Sequence, residues 1–444
     1  MIPAPAVPVG VDPFGPEVAA LRERDPVVCR YRAFFALLDW GAVPERDARR
    51  PWPGSPPHPT AAYVKALLVK LCEGKPFVTD LRRFLVEHPL LVLELGFRPV
   101  RDPTQPYGFD VARTVPGDRW LRHQQATLDP AALAALLDGT VAALRAALPT
   151  LGTTVSVDVK HIYAWVRENN PKEDVPRRFD SGRQPRGDPD CRLGAKRRSN
   201  RAEGRPAKAF LWGYGTGIAA ATDPDSGDVV LAERTLPFNR QDVAWFHPVY
   251  ARAVAALGRR PTNLAADAAF DAWHVYQVCA ESGGIAAIPR NDRAGSPPRD
   301  AAGHPCCDRG LAMTPAAIFV HEDGFRARRY RCPLLRPERT GDGCDHAQFP
   351  KGGCTKYVNV EPGGRMRAEL DRTTEPFRAV YRQRTATERI NSQATALGIE
   401  RPKVRRAAAV HRLTTLTYIV INTRALARVR ARTTAHAPPA LSLC

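Results

Sequence analysis

The stretch TTVSVDVKHIYAWV, residues 153–166, decides how the chain is read. It alternates and is rich in β-branched side chains, so it predicts a strand. Asp158 stands in the middle of this otherwise apolar run. A charge on a buried strand is expensive unless it is paired or metal-bound, so the same residues mark both an element and a candidate site. A polar, Gly/Pro-rich stretch follows, with eight basic and three acidic residues between Arg183 and Arg205. KAFLWGYGTGIAAATDPDSGDVVLAERTL, residues 208–236, predicts two strands around a DPDSGD turn. Residues 242–258 read as a helix, 261–267 (PTNLAAD) as a short strand, 271–283 as a helix and 284–290 as another strand. This order predicts an α/β core with mixed pairing, not an all-parallel βα repeat.

The rest of the chain arranges itself around that core at 151–290. Residues 1–60 form a Pro-rich segment in which Pro16 to Trp40 has room for one helix and Pro51 to Pro59 reads as a linker or surface loop. Residues 61–150 predict a helical domain. Val64, Leu67, Leu68 and Leu71 share one helical face, and a later helix starts at Asp129 as N-cap with Pro130 at the first position and the stripe Leu133, Leu136, Leu137, Val141 and Leu144. Its arginines, among them Arg82, Arg83, Arg119 and Arg122, suit a solvated bundle and a DNA-binding surface equally. Residues 291–375 read as an irregular, cysteine-containing insertion. Helical signals return over 376–435, with one helix over RQRTATERINSQATALG and a long one from about Val404 to Arg430, followed by a tail at 436–444.

Sixty-five Lys+Arg against 46 Asp+Glu leave a formal charge of +19 on 444 residues. With 44% hydrophobic residues this composition excludes a mainly disordered chain. The excess of positive charge points to a polyanionic partner, nucleic acid ahead of an anionic membrane surface, because Arg forks to phosphate and stacks on bases. No run approaches the roughly 18 apolar residues of a membrane span, and Met1 to Pro16, with five prolines and no basic residue, does not resemble a signal peptide. Ten cysteines are too sparse for a disulfide framework, so a reducing, intracellular compartment is expected.

Three carboxylates stand out: Asp158 in its strand, Asp267 at the end of NLAAD, and Glu388 in the helical ATERINSQ. Aspartates on neighbouring strands can project to one sheet edge, and a packed helix can add a third carboxylate. Such a cluster repels itself unless hard divalent cations, Mg²⁺ or Mn²⁺, neutralise it. Two such ions can activate a nucleophile and stabilise a leaving oxygen in phosphodiester cleavage. The alternative for each is a turn cap or a salt bridge. Asp271 competes with Asp267 as a ligand but sits where a helix N-cap is expected.

Four segments, in order, resemble bacterial insertion-sequence transposases of the DDE class. VDVKHIYAWVRENNP (157–171) with RGDPDCRLGAKRR (186–198) is similar to the strand carrying that family's first Asp and its basic follow-on. LPFNRQDVAWFHPVY (236–250) resembles its "N-x-x-D" segment at Asn239 and Asp242. LAADAAFDAWHVYQVCAESGGIAAIPRN (264–291) resembles its "AD-x-x-Y-D … GI-x-x-x-IP" stretch, with Phe270 in place of Tyr. YRQRTATERINSQ (381–393) fits the signature Tyr-x2-Arg-x3-Glu at Tyr381, Arg384 and Glu388, although Thr395 occupies the position of the usual Lys. The carboxylates are 109 and 121 residues apart, and the resemblance also extends loosely to the helical region, including VPGDRWLRH at 115–123.

The resemblance implies an RNase H-like mixed sheet with flanking helices, an N-terminal helical domain and a Cys-containing insertion. It implies a DNA transposase, cutting and joining double-stranded DNA at element ends with Mg²⁺ or Mn²⁺ on Asp158, Asp267 and Glu388, as a homodimer on DNA in the prokaryotic cytoplasm. Tyr381 and Arg384, one turn apart on the helix that carries Glu388, would hold phosphate, with Arg389 or Lys403 in place of the missing Lys. Lys160, Lys196, Arg197, Arg198 and Arg201 would contact the DNA backbone. Two rivals are another metal-dependent endonuclease on the same fold and a catalytically inactive DNA-binding relative.

Six of the cysteines lie between Cys279 and Cys354. Cys307, Cys332, Cys344 and Cys354 offer four thiolates for a tetrahedral structural Zn²⁺, without any C-x2-C pair; the alternative is a set of reduced thiols. His161, three residues after Asp158, falls on the other strand face and reads as packed rather than ligating.

Overall fold

The computed structural model describes residues 14–45, 57–197, 208–291 and 298–436. The chain divides into two compact units. The first comprises Met1–Gly152, Asp158–Arg259 and Thr385–Cys444; the second comprises Thr153–Val157 and Arg260–Arg384. The architecture is mixed α/β, as the order of elements predicted. Pro51–Pro56, Arg198, Arg201 and residues 437–444 lie outside the described residues.

The first unit opens with α1 (Pro16–Arg24) and α2 (Pro26–Phe35), two helices where one was expected. Pro26 disfavours helical backbone at the residue before it. Asp25 is accordingly extended, and its carboxylate accepts from the Val27 and Val28 amides as the cap of α2. Next come α3 (Thr60–Cys72), α4 (Val78–Glu87), α5 (Pro89–Leu95), the short strands β1 (Val100–Arg101) and β2 (Phe109–Asp110), α6 (Val111–Thr114), α7 (Asp118–Thr127) and α8 (Pro130–Ala147). As predicted, the Asp129 side chain caps α8 by accepting from the Ala131 amide. Among the described residues α8 is the one helix long and apolar enough to cross a membrane by length and composition. Its stripe, Leu133, Leu136, Leu137, Val141 and Leu144, is buried. The long C-terminal helix α14 (Ala407–His436) packs on α8 and α3. Leu413, Leu416, Ile419 and Val420 enter the same core as Leu67, Leu68 and Leu137.

Helix α3 is buried nearly all round, and Lys70 goes with it at 6% exposure. Burial pushes its ammonium down to about 8, with Asp80 pulling weakly the other way. Below that value the folded protein carries a charge it disfavours. Stability is therefore expected to rise between about pH 8 and the unfolded lysine value near 10.4, where the unfolded chain binds more protons. Lys70→Met should abolish that rise and stabilise the protein at neutral pH by about 3 kcal/mol, read from denaturant midpoints at two pH values.

The sheet begins with β3 (Thr154–Tyr163), the quoted strand, which is shared: its first residues belong to the second unit and Asp158 onward to the first. In the first unit, β5 (Lys208–Asp223) and β6 (Gly227–Pro237) form the predicted antiparallel hairpin. The first half of β5 also pairs with β4 (Arg192–Arg197), so part of the polar, basic stretch between the predicted strands is itself a strand. Helices α9 (Phe246–Leu257) and α13 (Thr385–Ala396) pack on this hairpin. The bare backbone of Gly217 admits the Trp245 indole, for a Cβ there would lie 2.5 Å from it.

In the second unit, the start of β3 pairs in parallel with β7 (Asn263–Ala265), Ser156 opposite Ala265, and β7 pairs in parallel with β8 (Ala286–Ala287). Helices α10 (Trp273–Ser282) and α12 (Glu375–Arg382) belong to this unit; Phe377 and Val380 of α12 pack with Ala265 and Ala287. The cysteine-containing segment is not irregular. It builds an antiparallel sheet of β9 (Thr314–Val320), β10 (Arg326–Arg331) and β11 (Thr355–Asn359), followed by α11 (Pro362–Glu369). Its strands hid from sequence reading because β10 is RARRYR, basic at four of six positions.

Candidate active site

Asp158 sits half-buried on β3. One carboxylate oxygen accepts from the Val159 amide at 2.8 Å, and the other accepts from Asn391 Nδ2 at 2.9 Å. Asn391 lies on α13, three residues after Glu388, which places the two on one helical face. Glu388 itself is exposed. The fold thus brings the first and third predicted carboxylates into one unit, on a strand and on the helix whose amide touches that strand. Nearby, Tyr418 of α14 is wholly buried. Its phenol is driven up mainly by that burial, and the Glu233 and Asp158 carboxylates push in the same direction.

Asn391 is the residue that sequence reading missed. Its only sequence signal was its spacing, an amide one turn from Glu388 on a helix anchored by buried Ala386, Ile390 and Ala394, which does not by itself name a partner. Its Oδ1 is buried and has no hydrogen-bond partner among the described residues. That orphaned acceptor beside a carboxylate is the donor chemistry a hard divalent cation takes. Among the described residues, no group of three His, Cys, Asp or Glu side chains is gathered to hold a metal ion.

Asp267 belongs to the second unit. It follows β7 by two residues and caps a 3-10 turn, accepting from the Ala269 amide at 2.9 Å. Asp271, its competitor, is not the N-cap of α10; Ala272 is. The Asp271 carboxylate is buried and fully engaged, with both Arg367 donors at 2.8 Å, the Tyr276 hydroxyl at 2.8 Å and the Asn291 amide at 2.9 Å. Burial opposes its ionisation, but the Arg367 fork and the other donors outweigh it and hold the carboxyl below its ordinary range. Every lone pair that a metal would need is taken, which leaves Asp267 as the more available of the two.

The signature segment differs from expectation. It is two helices, with Tyr381 on α12 and Glu388 on α13, so Tyr381 and Arg384 do not share a helix with Glu388. The break falls at Gln383 and Arg384. The Ser156 hydroxyl donates to the Gln383 carbonyl at 2.9 Å, and the Arg384 amide closes a tight turn on the Tyr381 carbonyl at 3.0 Å. Tyr381 stacks on Phe377 at 6.0 Å, and the Arg384 guanidinium lies 5.7 Å from the Tyr381 ring.

The other predicted phosphate contacts are placed as follows. Arg389 clasps buried Asp228 at 2.6 and 2.8 Å. Lys160 pairs with Glu400 at 3.4 Å. Lys196 is exposed on β4, and Arg197 ends that strand. His161 packs edge-on to Phe238 at 4.5 Å, and burial, reinforced by Lys196 and Lys160, pushes it down to about 4. It is a neutral packing residue, as read from the strand.

In the second unit, Cys332 and Cys354 flank the last paired residues of β10 and β11, Arg331 and Thr355. Cys307 joins Cys354 in a small cluster with Met313 and Tyr330. Burial pushes the Cys354 thiol up to about 11, and Cys332 and then Cys307 push the same way. Arg309 donates to the Gly343 carbonyl at 2.7 Å, which sets the loop carrying Cys344 against the turn that follows Cys307. Compared with known proteins, the chain matches no family model and no curated sequence.

Proposed function

We propose that this protein is a DNA transposase of the DDE class, cutting and joining double-stranded DNA at the ends of an insertion sequence. The observation that carries the reading is the Asn391–Asp158 bond, which ties the first carboxylate to the helix that bears Glu388. The connectivity supports it too: an antiparallel β5–β6 hairpin beside β3, with β7 and β8 added in parallel, suits the RNase H-like sheet that this reading requires. The net charge of +19 suits the substrate.

On this reading Asp158 and Glu388, with Asp267 as the third carboxylate, would hold Mg²⁺ or Mn²⁺, and Asn391 Oδ1 would be a further oxygen donor. The ions, when bound, supply charge neutralisation and an activated water. Asn391 orients Asp158, and Arg384 and Tyr381 meet phosphate. Lys160, Lys196, Arg197, Arg198 and Arg201 contact the backbone of DNA that a homodimer holds in the cytoplasm. The test is incubation of the purified protein with labelled DNA from the flanks of its own gene. Metal-dependent cuts at fixed positions are expected. Tight binding without cuts in either metal would overturn the reading in favour of an inactive DNA-binding relative, and cuts scattered without joining would favour a nuclease.

Alongside this site, Cys307, Cys332, Cys344 and Cys354 are proposed to hold one structural Zn²⁺. The purified protein should contain about one zinc per chain. Cys332→Ser should remove the metal and loosen the three-stranded sheet while α3 and α14 keep their protection in hydrogen exchange. Full-length protein free of zinc with an unchanged exchange pattern would overturn this.

A further inference from the structure

Between β3 and β4 the chain makes a long excursion over residues 164–191, and the segment Arg401–Arg406 runs beside it. Both are held firmly. The Asn169 amide donates to the Ala164 and Trp212 carbonyls at 2.8 and 2.7 Å and accepts from the Trp212 amide at 3.0 Å. The Trp212 indole donates to the Arg178 carbonyl at 2.9 Å. Fully buried Asp188 accepts from the Tyr214 hydroxyl at 2.7 Å and from the Arg406 amide at 3.0 Å, and Arg406 has a left-handed backbone, φ 73°. A non-glycine residue held there is strained unless its surroundings fix it.

These anchored segments enclose two adjoining cavities, both within the first unit. One, about 410 Å³, is walled by Tyr163, Trp165, Arg401 and Lys403; the other, about 590 Å³, by Arg177, Arg178, Arg183 and Arg186. Arg167 and Arg405 line both. One glutamate faces each cavity, Glu173 and Glu168. At the mouth, two large aromatics are left in solvent: Trp165 is 39% exposed and Phe77 is 42% exposed, with ring centroids 6.2 Å apart. Lys403 Nζ stands 5.8 Å from each ring, the Arg405 guanidinium 4.7 Å from Trp165, and the Arg401 guanidinium 4.2 Å from Tyr163.

Exposed aromatic faces interleaved with cations are the chemistry that binds unpaired nucleotides, bases stacking on rings while phosphates run along the cations. In an intact duplex the base faces are stacked on one another, so only phosphates, sugars and base edges are exposed and no base face is free to stack on Trp or Phe. The smaller cavity falls in the size range of small-ligand pockets, enough for a nucleotide. We propose that this groove binds an unpaired stretch of DNA, its base against Trp165 and Phe77 and its phosphates along the arginine-lined cavity. The proposal shares a DNA partner with the transposase reading, but its test needs no cleavage.

The test measures binding of the full-length protein to a short fluorescein-labelled oligothymidylate and to a blunt duplex, by anisotropy. Trp165→Ala and Phe77→Ala should each weaken the single strand roughly 5- to 150-fold, the loss of one base–aromatic stack, and leave the duplex unchanged. Trp165→Phe should restore most of the affinity. Arg186→Ala should lower the salt slope for the single strand by about 0.7. Equal weakening of both ligands, or no weakening by either substitution, would overturn the proposal. So would tighter binding of an oligouridylate, which would assign the groove to RNA. Phe77→Ala serves as a second probe of the stack at a side chain already in solvent. Loss of cleavage with single-strand binding intact would sink the transposase reading and leave the groove standing.

Discussion

Glu388→Gln is expected to abolish metal-dependent strand cleavage while leaving DNA binding and the thermal transition unchanged. Glu388 is exposed and glutamine has nearly its shape, so the substitution leaves no cavity. It removes one negative charge and one hard oxygen from the face of α13 that meets Asp158 through Asn391. Removing groups that merely orient a metal ligand costs about 10–100-fold, and loss of a ligand itself should cost at least that. Asn391→Leu is the graded companion. It should reduce cleavage within the roughly 10–100-fold range of an orienting group and shift the metal concentration needed for half-maximal rate upward. Cleavage by Glu388→Gln at the unsubstituted rate would remove Glu388 from the site.

Asn422→Leu should destabilise the protein by about 4 kcal/mol, read as a fall in the denaturant midpoint at constant slope. Asn422 of α14 is fully buried. Its Oδ1 accepts from the Val230 amide at 2.8 Å, and its Nδ2 donates to the Val230 carbonyl at 2.8 Å and to Thr140 Oγ1 at 2.9 Å. Strand β6 pairs only with β5 among the described strands, and their register slips beside Val230. The Asn422 amide therefore supplies what a further strand would otherwise give. Leucine has similar volume but leaves a buried N–H and C=O without partners, at about 1–3 kcal/mol each. Thr140 suffers less because its hydroxyl also donates to the Leu137 carbonyl. A midpoint unchanged by the substitution would show that β6 is closed by other means.

The elements with strong periodicity were legible. The alternation around Asp158 gave β3, the DPDSGD turn gave the hairpin, and Asp129 with Pro130 gave the start of α8. Illegible were features set by tertiary contacts. The break before Thr385 depends on the Ser156 hydroxyl, which lies 227 residues away from Gln383. The sheet over residues 314–359 is made of short strands without a clear apolar alternation, since residues on both faces of β9 remain exposed. Of the candidate site, Asp158 and Asp267 were marked by their apolar surroundings, and Glu388 by its place in the Tyr-x2-Arg-x3-Glu spacing. Asn391 and the engagement of Asp271 by Arg367 were not, because neither an amide on a helix nor an acid near a turn announces its partner in a single sequence.

The core shared by α3, α8 and α14 fixes the order in which the chain can mature as it leaves the ribosome. Synthesis delivers the first unit's helices early, but the helix that completes their core arrives last. The second unit has all its residues once Arg384 has emerged, and it can close while the first still waits for α14. A message truncated before residue 407 therefore yields no finished N-terminal half. The apolar faces of α3 and α8 stay uncovered, and the product goes to proteases rather than surviving as a stable fragment.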